Sequence, residues 1–534
     1  MRQIIKTKHI ALSFIFLFTF CLSKGQVDSI VYNYKDSITI PTSSGYNLSA
    51  RIMYKKSITE PLPVILFYTT YFQGEKDIYF AKISADRDYV GIVVYARGIR
   101  TNITNYSPYK HEQKDIYDVI DWISKQEWCN GEVGMFGGSY TGFSQWSAAK
   151  KLHPALKTIV PQVAVMPGYD FPMQNNVQLG FELGWAHSQI LKKQAIDPSL
   201  YWTWFEKGYA YSRLDSAIGY TNKFFQEWLN HPAYDTYWST LVPTPEEYAN
   251  IDIPVLTTTG YFDGSQISAI RYFKLHNKYN RSNQHYLVIG PYDHWGGQAN
   301  AASNLRGYEI DSVANLSMRN LALDWMDWQL KVEKKPEILK DKVNYQVMGM
   351  NQWQHKSSLC SIASDTLRLF LVNNKLSKNI GSQETFIKQV IDLSDREKIN
   401  NYFQPTLIID TLDASNGIIY KSQTFNEDFI ISGAFTGKLK IETNKKDFDL
   451  SISFYEKMPS GKYFFLSRYV GRASYANDNT KRQLLKPYKQ EFIPLNASHI
   501  ISKKISRGSQ LVVILNTNKH PFEIINYGSG KNPT

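Results

Sequence analysis

Continuous apolar runs alternate with amphipathic stretches over the first 300 residues of the chain. The spacing predicts a helix over 113–123, where apolar residues recur every three or four positions. Strands that are apolar throughout and alternate with helices are typical of a parallel sheet covered on both faces. The pattern therefore predicts an α/β fold, with strands at 64–68, 91–95, 133–138, 158–160, 254–258 and 286–289.

The pattern changes between residues 161 and 250, where strand-like runs vanish and aromatic residues become frequent. We expect this stretch to be a helical cap inserted between two strands of the sheet, with Trp185 and Trp204 lining a substrate pocket. The alternative is that the rings pack the insertion's own core. Five of the twelve tryptophans lie in it: Trp185, Trp202, Trp204, Trp228 and Trp238.

From about residue 335 the apolar residues alternate with polar ones, which is typical of antiparallel strands with one solvated face. The candidate strands are 367–371, 438–441, 450–454 and 510–515. This third segment is predicted to be a β-sandwich, and a jelly roll in particular.

A serine lies at the end of the predicted strand 133–138. Ser139 is flanked by Gly137, Gly138 and Gly142, and helical spacing follows over 143–152. A strand that turns sharply through a serine into a helix is the nucleophile elbow of α/β-hydrolases, in which the next N–H, here that of Tyr140, faces the developing oxyanion. Glycine stands one position later than in the usual G-x-S-x-G pattern, so on these residues alone an ordinary loop also fits.

Two later strands are followed by an aspartate and a histidine. Asp263 follows the strand at 254–258, and His294 follows the strand at 286–289. Ligands of open α/β sheets bind at the carboxyl ends of the strands, and the order Ser, Asp, His is that of α/β-hydrolases. Ser139, Asp263 and His294 are therefore predicted to form a catalytic triad, which requires no cofactor and no metal.

The N-terminus predicts export. Positive charges at Arg2, Lys6 and Lys8 precede an apolar run over 10–22, so residues 1–25 read as a signal peptide and the mature protein as periplasmic or secreted. Lipidation at Cys21 fits poorly, because bulky residues precede this cysteine. No later stretch has 18 consecutive apolar residues, so no membrane span is expected.

Charge and cysteine content exclude little else. The net charge is +12, but the lysines are scattered rather than gathered in a stripe, so nucleic-acid binding is not expected. Cys129 and Cys360 remain once the signal peptide is removed, and whether they pair stays open. No metal-ligand spacing occurs. The predicted domains are a signal peptide (1–25), an α/β-hydrolase domain (26–160 and 251–334), a helical cap (161–250) and a C-terminal jelly-roll β-sandwich (335–534).

Several stretches resemble the CocE/NonD hydrolases and the related X-Pro dipeptidyl-peptidases of family S15, in which the elbow reads G-x-S-Y-x-G. The resemblance implies that the Tyr71 hydroxyl shares the oxyanion hole with the Tyr140 amide. It also implies a serine hydrolase that acts on a small ester, amide or short peptide through an acyl-enzyme. The stretches are 121–142, 260–263, 290–294, 347–353 and 447–450.

The resemblance leaves the substrate open between acyl esters and Xaa-Pro peptides. Amino-acid ester hydrolases of similar sequence bind a free amino group with acids that follow the triad aspartate, where this chain has Ser265 and Gln266. Asp170 is the candidate that remains for such a role, and Glu182 or Glu206 could substitute. The sequence therefore favours neutral esters over an X-Pro dipeptidyl-peptidase activity. A non-catalytic glycan-binding protein is the alternative of another class.

Overall fold

The computed structural model describes residues 29–190, 195–399, 406–414, 416–496 and 498–533. The predicted signal peptide and Cys21 lie outside these residues. Within them, no helix has the length and apolar character needed to cross a membrane.

A ten-stranded sheet forms the centre of the molecule, with the strand order β1-β2-β4-β3-β5-β6-β7-β8-β9-β10. The strands from β4 to β9 in this order are parallel, and the pairs at both edges are antiparallel. The inner strands are buried on both faces, as their apolar runs predict. The strands are β1 (Tyr32–Pro41), β2 (Asn47–Lys55), β3 (Leu62–Thr69), β4 (Val90–Tyr95), β5 (Cys129–Gly138), β6 (Leu156–Gln162), β7 (Val255–Gly260), β8 (His285–Gly290), β9 (Val343–Val347) and β10 (Gln352–Lys356).

Ten α-helices accompany the sheet in the described residues. The amphipathic pattern at 113–123 becomes a helix that buries Ile116, Val119, Ile120 and Ile123. The helices are α1 (Ile78–Ala85), α2 (Glu112–Ser124), α3 (Tyr140–Ala149), α4 (Phe181–Trp185), α5 (Ser199–Lys207), α6 (Lys223–Leu229), α7 (Thr236–Ser239), α8 (Pro245–Ala249), α9 (Gln266–Tyr279) and α10 (Met318–Lys331).

Helices α4 to α8 make up the cap between β6 and β7. Its aromatic residues are divided between two cores. Phe224, Trp228 and Trp238 join the main core of the sheet, whereas Trp204 and Phe225 belong to a separate cluster with residues of the C-terminal segment. The cap is therefore attached to both of its neighbours.

The C-terminal strands form a sandwich. It consists of a seven-stranded sheet in the order β11-β12-β14-β21-β17-β18-β13 and of two further strand pairs, β15-β20 and β16-β19. These strands are β11 (Phe370–Val372), β12 (Lys375–Ser377), β13 (Ile408–Ile409), β14 (Ile418–Ser422), β15 (Phe429–Ala434), β16 (Gly437–Glu442), β17 (Asp449–Lys457), β18 (Tyr463–Arg472), β19 (Gln490–Leu495), β20 (Ile500–Ile505) and β21 (Gln510–Thr517).

Two details differ from the sequence prediction. The sheet of the first domain continues through β9 and β10, so residue 335 does not mark its end. The sequence of β9, VNYQV, alternates apolar and polar residues as a sandwich strand does, although all five residues are buried. The strand predicted at 367–371 is shorter, since β11 begins only at Phe370.

One hydrophobic cluster, separate from the main core of the sheet, joins the α/β domain to the sandwich. Tyr261, Phe273 and Leu287, which lie around β7 and β8, belong to the same buried cluster as Phe464 and Ile501 of the sandwich. The carboxyl ends of β7 and β8 are thus covered by the C-terminal segment.

Candidate active site

Ser139 is the single residue between β5 and α3, and its backbone is strained. Its φ of 63° and ψ of −123° lie where residues other than glycine rarely occur. The turn is held because the Ser139 N–H donates to the Gln162 carbonyl at 3.0 Å, and the Ser139 carbonyl accepts from the Gly142 and Phe143 amides at 3.0 Å. Such strain at a serine is the geometry of a nucleophile elbow.

Glycines are required at three positions around this turn. A Cβ at Gly137 would lie 2.3 Å from Thr141 Cγ2, and one at Gly142 would lie 2.8 Å from Ala164 Cβ. A Cβ at Gly138 would lie 2.0 Å from Gln298 Oε1. The close approach to strand β6 therefore falls at residue 142, which explains why glycine occurs there instead of at 141.

The predicted oxyanion-hole residues converge on the serine. The Tyr71 hydroxyl donates to Ser139 Oγ at 3.4 Å and accepts from Trp185 Nε1 at 3.4 Å. Burial raises the pKa of Tyr71, while hydrogen bonding with Ser139, Trp185 and the Tyr140 amide opposes this effect. A phenol that stays protonated beside a backbone N–H provides two donors for one oxygen.

A buried network beneath the elbow was not predicted from the sequence. The Tyr140 hydroxyl donates to Glu112 Oε1, and its ring stacks on Trp185 with the centroids 6.1 Å apart. Burial raises the pKa of Glu112 to about 7. This network holds the side chain of Tyr140, the residue whose N–H is predicted to face the oxyanion. The only sequence signal was an acid at the start of an amphipathic helix, which usually marks a solvated helix end.

The predicted acid and base are paired. His294 Nδ1 lies 2.8 Å from Asp263 Oδ1, and Asp263 also accepts from the Thr259 hydroxyl at 2.7 Å and the Ser265 amide at 2.9 Å. The Asp263 side chain is fully buried, whereas that of His294 is 31% exposed. Among the described residues, the imidazole makes its hydrogen bond through Nδ1, which leaves Nε2 for a substrate-side partner.

The electrostatics of this pair suit a base. Burial alone would raise the pKa of Asp263. The charge and hydrogen bond of His294 outweigh this effect, so the pKa lies below its usual range and the carboxylate is ionised. Burial lowers the pKa of His294, but Asp263, and to a lesser extent Asp170 and Asp293, hold it above its ordinary value. The imidazole is therefore a stronger base than a free histidine.

Among the described residues, the hydrogen bonds do not include one between Ser139 Oγ and the His294 ring. The two segments are nevertheless adjacent, because Gln298 contacts Gly138 and its Nε2 donates to the His294 carbonyl at 2.9 Å. In unliganded hydrolases this catalytic contact is often long and shortens when the substrate binds.

The acids considered for binding an amino group occupy different environments. Asp170 is buried near the triad, and burial raises its pKa to about 7. Its Oδ1 accepts from the Met166 amide at 2.7 Å, and its Oδ2 has no hydrogen-bond partner within the described chain. Glu182 accepts from the Tyr211 hydroxyl inside the cap, and Glu206 is exposed. Of the three, only Asp170 acts electrostatically on His294.

The two tryptophans predicted to line the pocket differ in position. Trp185 contacts the Tyr71 hydroxyl and stacks with Tyr109 and Tyr140, so it belongs to the site. Trp204 is 5% exposed, packs in the cap's separate cluster and donates to the Ala210 carbonyl at 3.2 Å. Its contacts in the described residues are those of a core residue, and its role in substrate binding stays a prediction.

Cysteines and metal ligands add nothing to this site. Cys129 is buried and Cys360 exposed, and both are free. Within the described ranges, no group of three or more His, Cys, Asp or Glu side chains is placed to hold a metal ion.

Comparison with known proteins follows the same division of the chain. Residues 44–296 match the sequence profile of the X-Pro dipeptidyl-peptidase S15 family, and residues 339–534 match that of the X-Pro dipeptidyl-peptidase C-terminal non-catalytic domain. The cocaine esterase of Rhodococcus sp. (strain MB1 Bresler) is 22% identical over 496 residues, which cover 83% of this chain and 84% of that protein.

Solved structures share the fold over nearly the whole length. An aminopeptidase from a marine sediment Thaumarchaeota archaeon superposes with a TM-score of 0.79 at 18% identity, covering 94% of this chain and 92% of that one. An α-amino acid ester hydrolase gives a TM-score of 0.75 at 20% identity, covering 94% and 91%. The CocE/NonD family hydrolase of Staphylococcus aureus gives 0.65 at 17%, covering 90% and 85%.

The two family profiles follow one another along the chain and together cover most of it, and the predicted resemblance is thereby confirmed. This chain belongs to the S15 family of serine hydrolases, with an α/β-hydrolase domain, a helical cap and a C-terminal β-sandwich.

Proposed function

We propose that this protein hydrolyses neutral acyl esters, and amides more slowly, through Ser139, His294 and Asp263. His294 removes the proton of Ser139 as its Oγ attacks the substrate carbonyl, and Asp263 stabilises the imidazolium that forms. The Tyr71 hydroxyl and the Tyr140 N–H bind the oxyanion. His294 then protonates the leaving group, and water releases the acyl group from Ser139.

The observation that carries this proposal is the hydrogen bond between the Tyr71 hydroxyl and Ser139 Oγ at a strained elbow. Strain of this kind costs on the order of 1–3 kcal/mol and persists where function requires it. A donor beside a serine hydroxyl is suited to the oxygen that develops charge during acyl transfer. The mechanism further requires that His294 Nε2 reach Ser139 Oγ when the substrate displaces this hydrogen bond.

A neutral substrate follows from the polar groups beside the triad. An ammonium group in a buried pocket needs an ionised partner. Ser265 and Gln266 carry no charge, and the pKa of Asp170 of about 7 leaves this acid partly neutral near pH 7. The second candidate, an X-Pro dipeptidyl-peptidase, is favoured by the unpartnered Oδ2 of Asp170, which would ionise if an ammonium group approached it.

Covalent labelling tests the nucleophile without assuming a substrate. A fluorophosphonate probe should label the wild-type protein, and mass mapping should place the adduct on the peptide that contains Ser139. Ser139→Ala should remain folded, lose labelling and lose ester hydrolysis by a factor on the order of 10⁴ or more. Hydrolysis within tenfold of the wild type would contradict the triad, whereas a wild type that neither reacts with the probe nor hydrolyses esters would favour a non-catalytic role such as glycan binding.

The substrate class is tested with matched chromogenic compounds. We expect a higher kcat/KM for p-nitrophenyl butyrate than for Gly-Pro or Ala-Pro p-nitroanilide. A higher value for either dipeptide would assign the protein as a dipeptidyl-peptidase. N-acetylated Gly-Pro p-nitroanilide is the control, because acetylation removes the charge that Asp170 would bind.

Export is proposed from residues 1–25 alone. Cell fractionation with N-terminal sequencing should find the mature protein outside the cytoplasm, beginning near Gln26. A protein that retains Met1 in the cytoplasm would contradict this.

A further inference from the structure

The segment that carries the triad acid lies between two domains. Strand β7 ends at Gly260, Asp263 follows in the turn, and α9 begins at Gln266. Behind this turn lies the start of β20, which belongs to the C-terminal sandwich. The contacts on that side therefore come from the part of the chain whose family profile is described as non-catalytic.

Gln266 makes a double hydrogen bond across this boundary. Its Oε1 accepts from the Ile500 amide at 2.6 Å, and its Nε2 donates to the Ile500 carbonyl at 2.9 Å. The same Nε2 donates to the Gly260 carbonyl at 3.0 Å. One buried side chain thus connects the end of β7, the start of α9 and the sandwich.

These bonds occupy the whole amide of Gln266. A carboxamide that accepts from one backbone amide and donates to two carbonyls has no donor left to offer a ligand. The resemblance places an acid of the related ester hydrolases at this position. In this chain the position holds Gln266, which makes a contact between domains.

The sandwich contributes a second group behind Asp263. His499 precedes β20, and its Nε2 is buried without a hydrogen-bond partner in the described residues. Burial lowers the pKa of His499 to about 4, and the charge of Asp263 acts on it in the opposite direction. His499 is neutral near pH 7, so it does not compete with His294 for the carboxylate.

We propose that Gln266 is a positioning residue and that the C-terminal sandwich, through Ile500, holds the triad aspartate in place against His294. Three further contacts support the same turn from the surrounding structure. The Tyr261 hydroxyl donates to the Gln346 carbonyl at 2.5 Å, and the Phe262 and Phe464 rings lie 6.4 Å apart. The Asp263 N–H donates to the Gly260 carbonyl, which also accepts from Gln266.

The inference rests on the proposed function, because it assigns Asp263 to a triad. Its consequence is kinetic. A catalytic group misplaced by about 1 Å can cost on the order of 100-fold in rate. The orientation of the His294–Asp263 pair affects the rate of the chemical step more than the affinity for the substrate. Loosening the turn should therefore lower kcat and leave KM nearly unchanged.

Gln266→Met tests the proposal, since methionine is of similar length and lacks the amide oxygen and nitrogen that make these bonds. Gln266→Asn is the milder variant, because it keeps the amide but is one methylene too short to bridge both backbones. Ser422→Ala is the matched control. It removes the acceptor of a buried hydrogen bond of 2.9 Å from the Leu511 amide within the sandwich, and both residues lie on strands other than β20.

With p-nitrophenyl butyrate, we expect both Gln266 variants to lower kcat about 10- to 100-fold, with KM changed less than threefold. The acid limb of the pH profile should move to lower pH, because a displaced Asp263 no longer raises the pKa of His294 as strongly. Ser422→Ala should lower the melting temperature without moving kcat or the pH limb. Wild-type kcat and an unmoved acid limb in the Gln266 variants would overturn the inference.

The proposed function is tested separately by the wild type. A wild-type protein that hydrolyses the ester and reacts with fluorophosphonate at Ser139 retains that function even if the Gln266 variants behave normally. A wild type that does neither fails at the proposed function itself.

Discussion

Asp263 and His294 form one hydrogen bond of 2.8 Å while they lie in opposite environments. The carboxylate is fully buried, and the imidazole is one-third exposed. The buried anion raises the pKa of the imidazole, and the imidazole lowers that of the carboxylate. When the pH falls below neutral, the histidine is therefore the first member of the pair to take up a proton.

Activity should fall as the pH drops through the pKa of His294, because a protonated imidazole cannot accept the serine proton. Since Asp263 raises this pKa, the midpoint of the acid limb of kcat/KM should lie above the unperturbed value of about 6.5. Asp263→Asn should lower kcat on the order of 10⁴-fold and move the residual limb to lower pH. A rate that stays constant from pH 7 to pH 4 would show that His294 is not the base.

Tyr71→Phe should lower kcat about 10²- to 10³-fold, because it removes one of two donors to the oxyanion. KM should change little, since the ground-state carbonyl needs the hydroxyl less than the tetrahedral intermediate does. Tyr79→Phe is a suitable control, because that hydroxyl is exposed and accepts from Arg319. Equal rates for Tyr71→Phe and the wild type would show that the Tyr71 hydroxyl does not bind the oxyanion.

Substitution of the two cap tryptophans should separate specificity from stability. Trp185→Ala should change the relative kcat/KM across p-nitrophenyl esters from acetate to octanoate, because the indole lies against Tyr71. Trp204→Ala should mainly lower the melting temperature, because truncation of a buried tryptophan costs about 3–5 kcal/mol. The reverse result, in which Trp204→Ala alters acyl preference, would place that ring in the pocket.

The exposed indole of Trp295 should contact the leaving group. Its side chain is 71% exposed, and its ring centroid lies 6.1 Å from that of His294. In the proposed mechanism His294 protonates the leaving group, so this part of the substrate would lie on the histidine side. Trp295→Ala should lower kcat/KM about three- to tenfold for aryl esters and leave methyl esters of the same acid unchanged.

Trp295→Phe should restore most of this preference, since it keeps a stacking ring. Trp202→Ala is the control, because that indole is 37% exposed but contacts His520 and Phe522 instead of the triad. Parallel losses for aryl and methyl esters would mean that Trp295 does not bind the leaving group.

The sheet and the order of the site residues were predictable from the sequence. Buried parallel strands are mostly apolar, so β3, β4 and β8 contain continuous apolar runs, and β7 begins with one that continues into three threonines. Ser139, Asp263 and His294 each follow such a run, and the carboxyl ends of parallel strands meet at one edge of the sheet. The positions of these three residues in the sequence were therefore enough to predict that they lie at the same edge of the sheet.

Other features depend on contacts between segments that are distant in the sequence. Trp185 and Trp204 lie in the same aromatic-rich segment of the sequence, which does not distinguish them. In the folded cap, Trp185 contacts Tyr71, whereas Trp204 packs near Ile524. Gln266 was interpreted as a missing acid, because its partner Ile500 lies 234 positions away. Local pattern cannot report such pairs.

The edge hairpin β9–β10 determines where this protein can be recombined with its relatives. Strand β9 pairs in parallel with β8, with Leu287 opposite Val343 and Ile289 opposite Tyr345, yet it lies within the segment 339–534 that matches the C-terminal family profile. A chimera joined near residue 339 would import two foreign strands into the sheet that carries His294. A junction after Lys356 keeps the native sheet and confines the foreign sequence to the sandwich, where the partner of Gln266 becomes the contact to preserve.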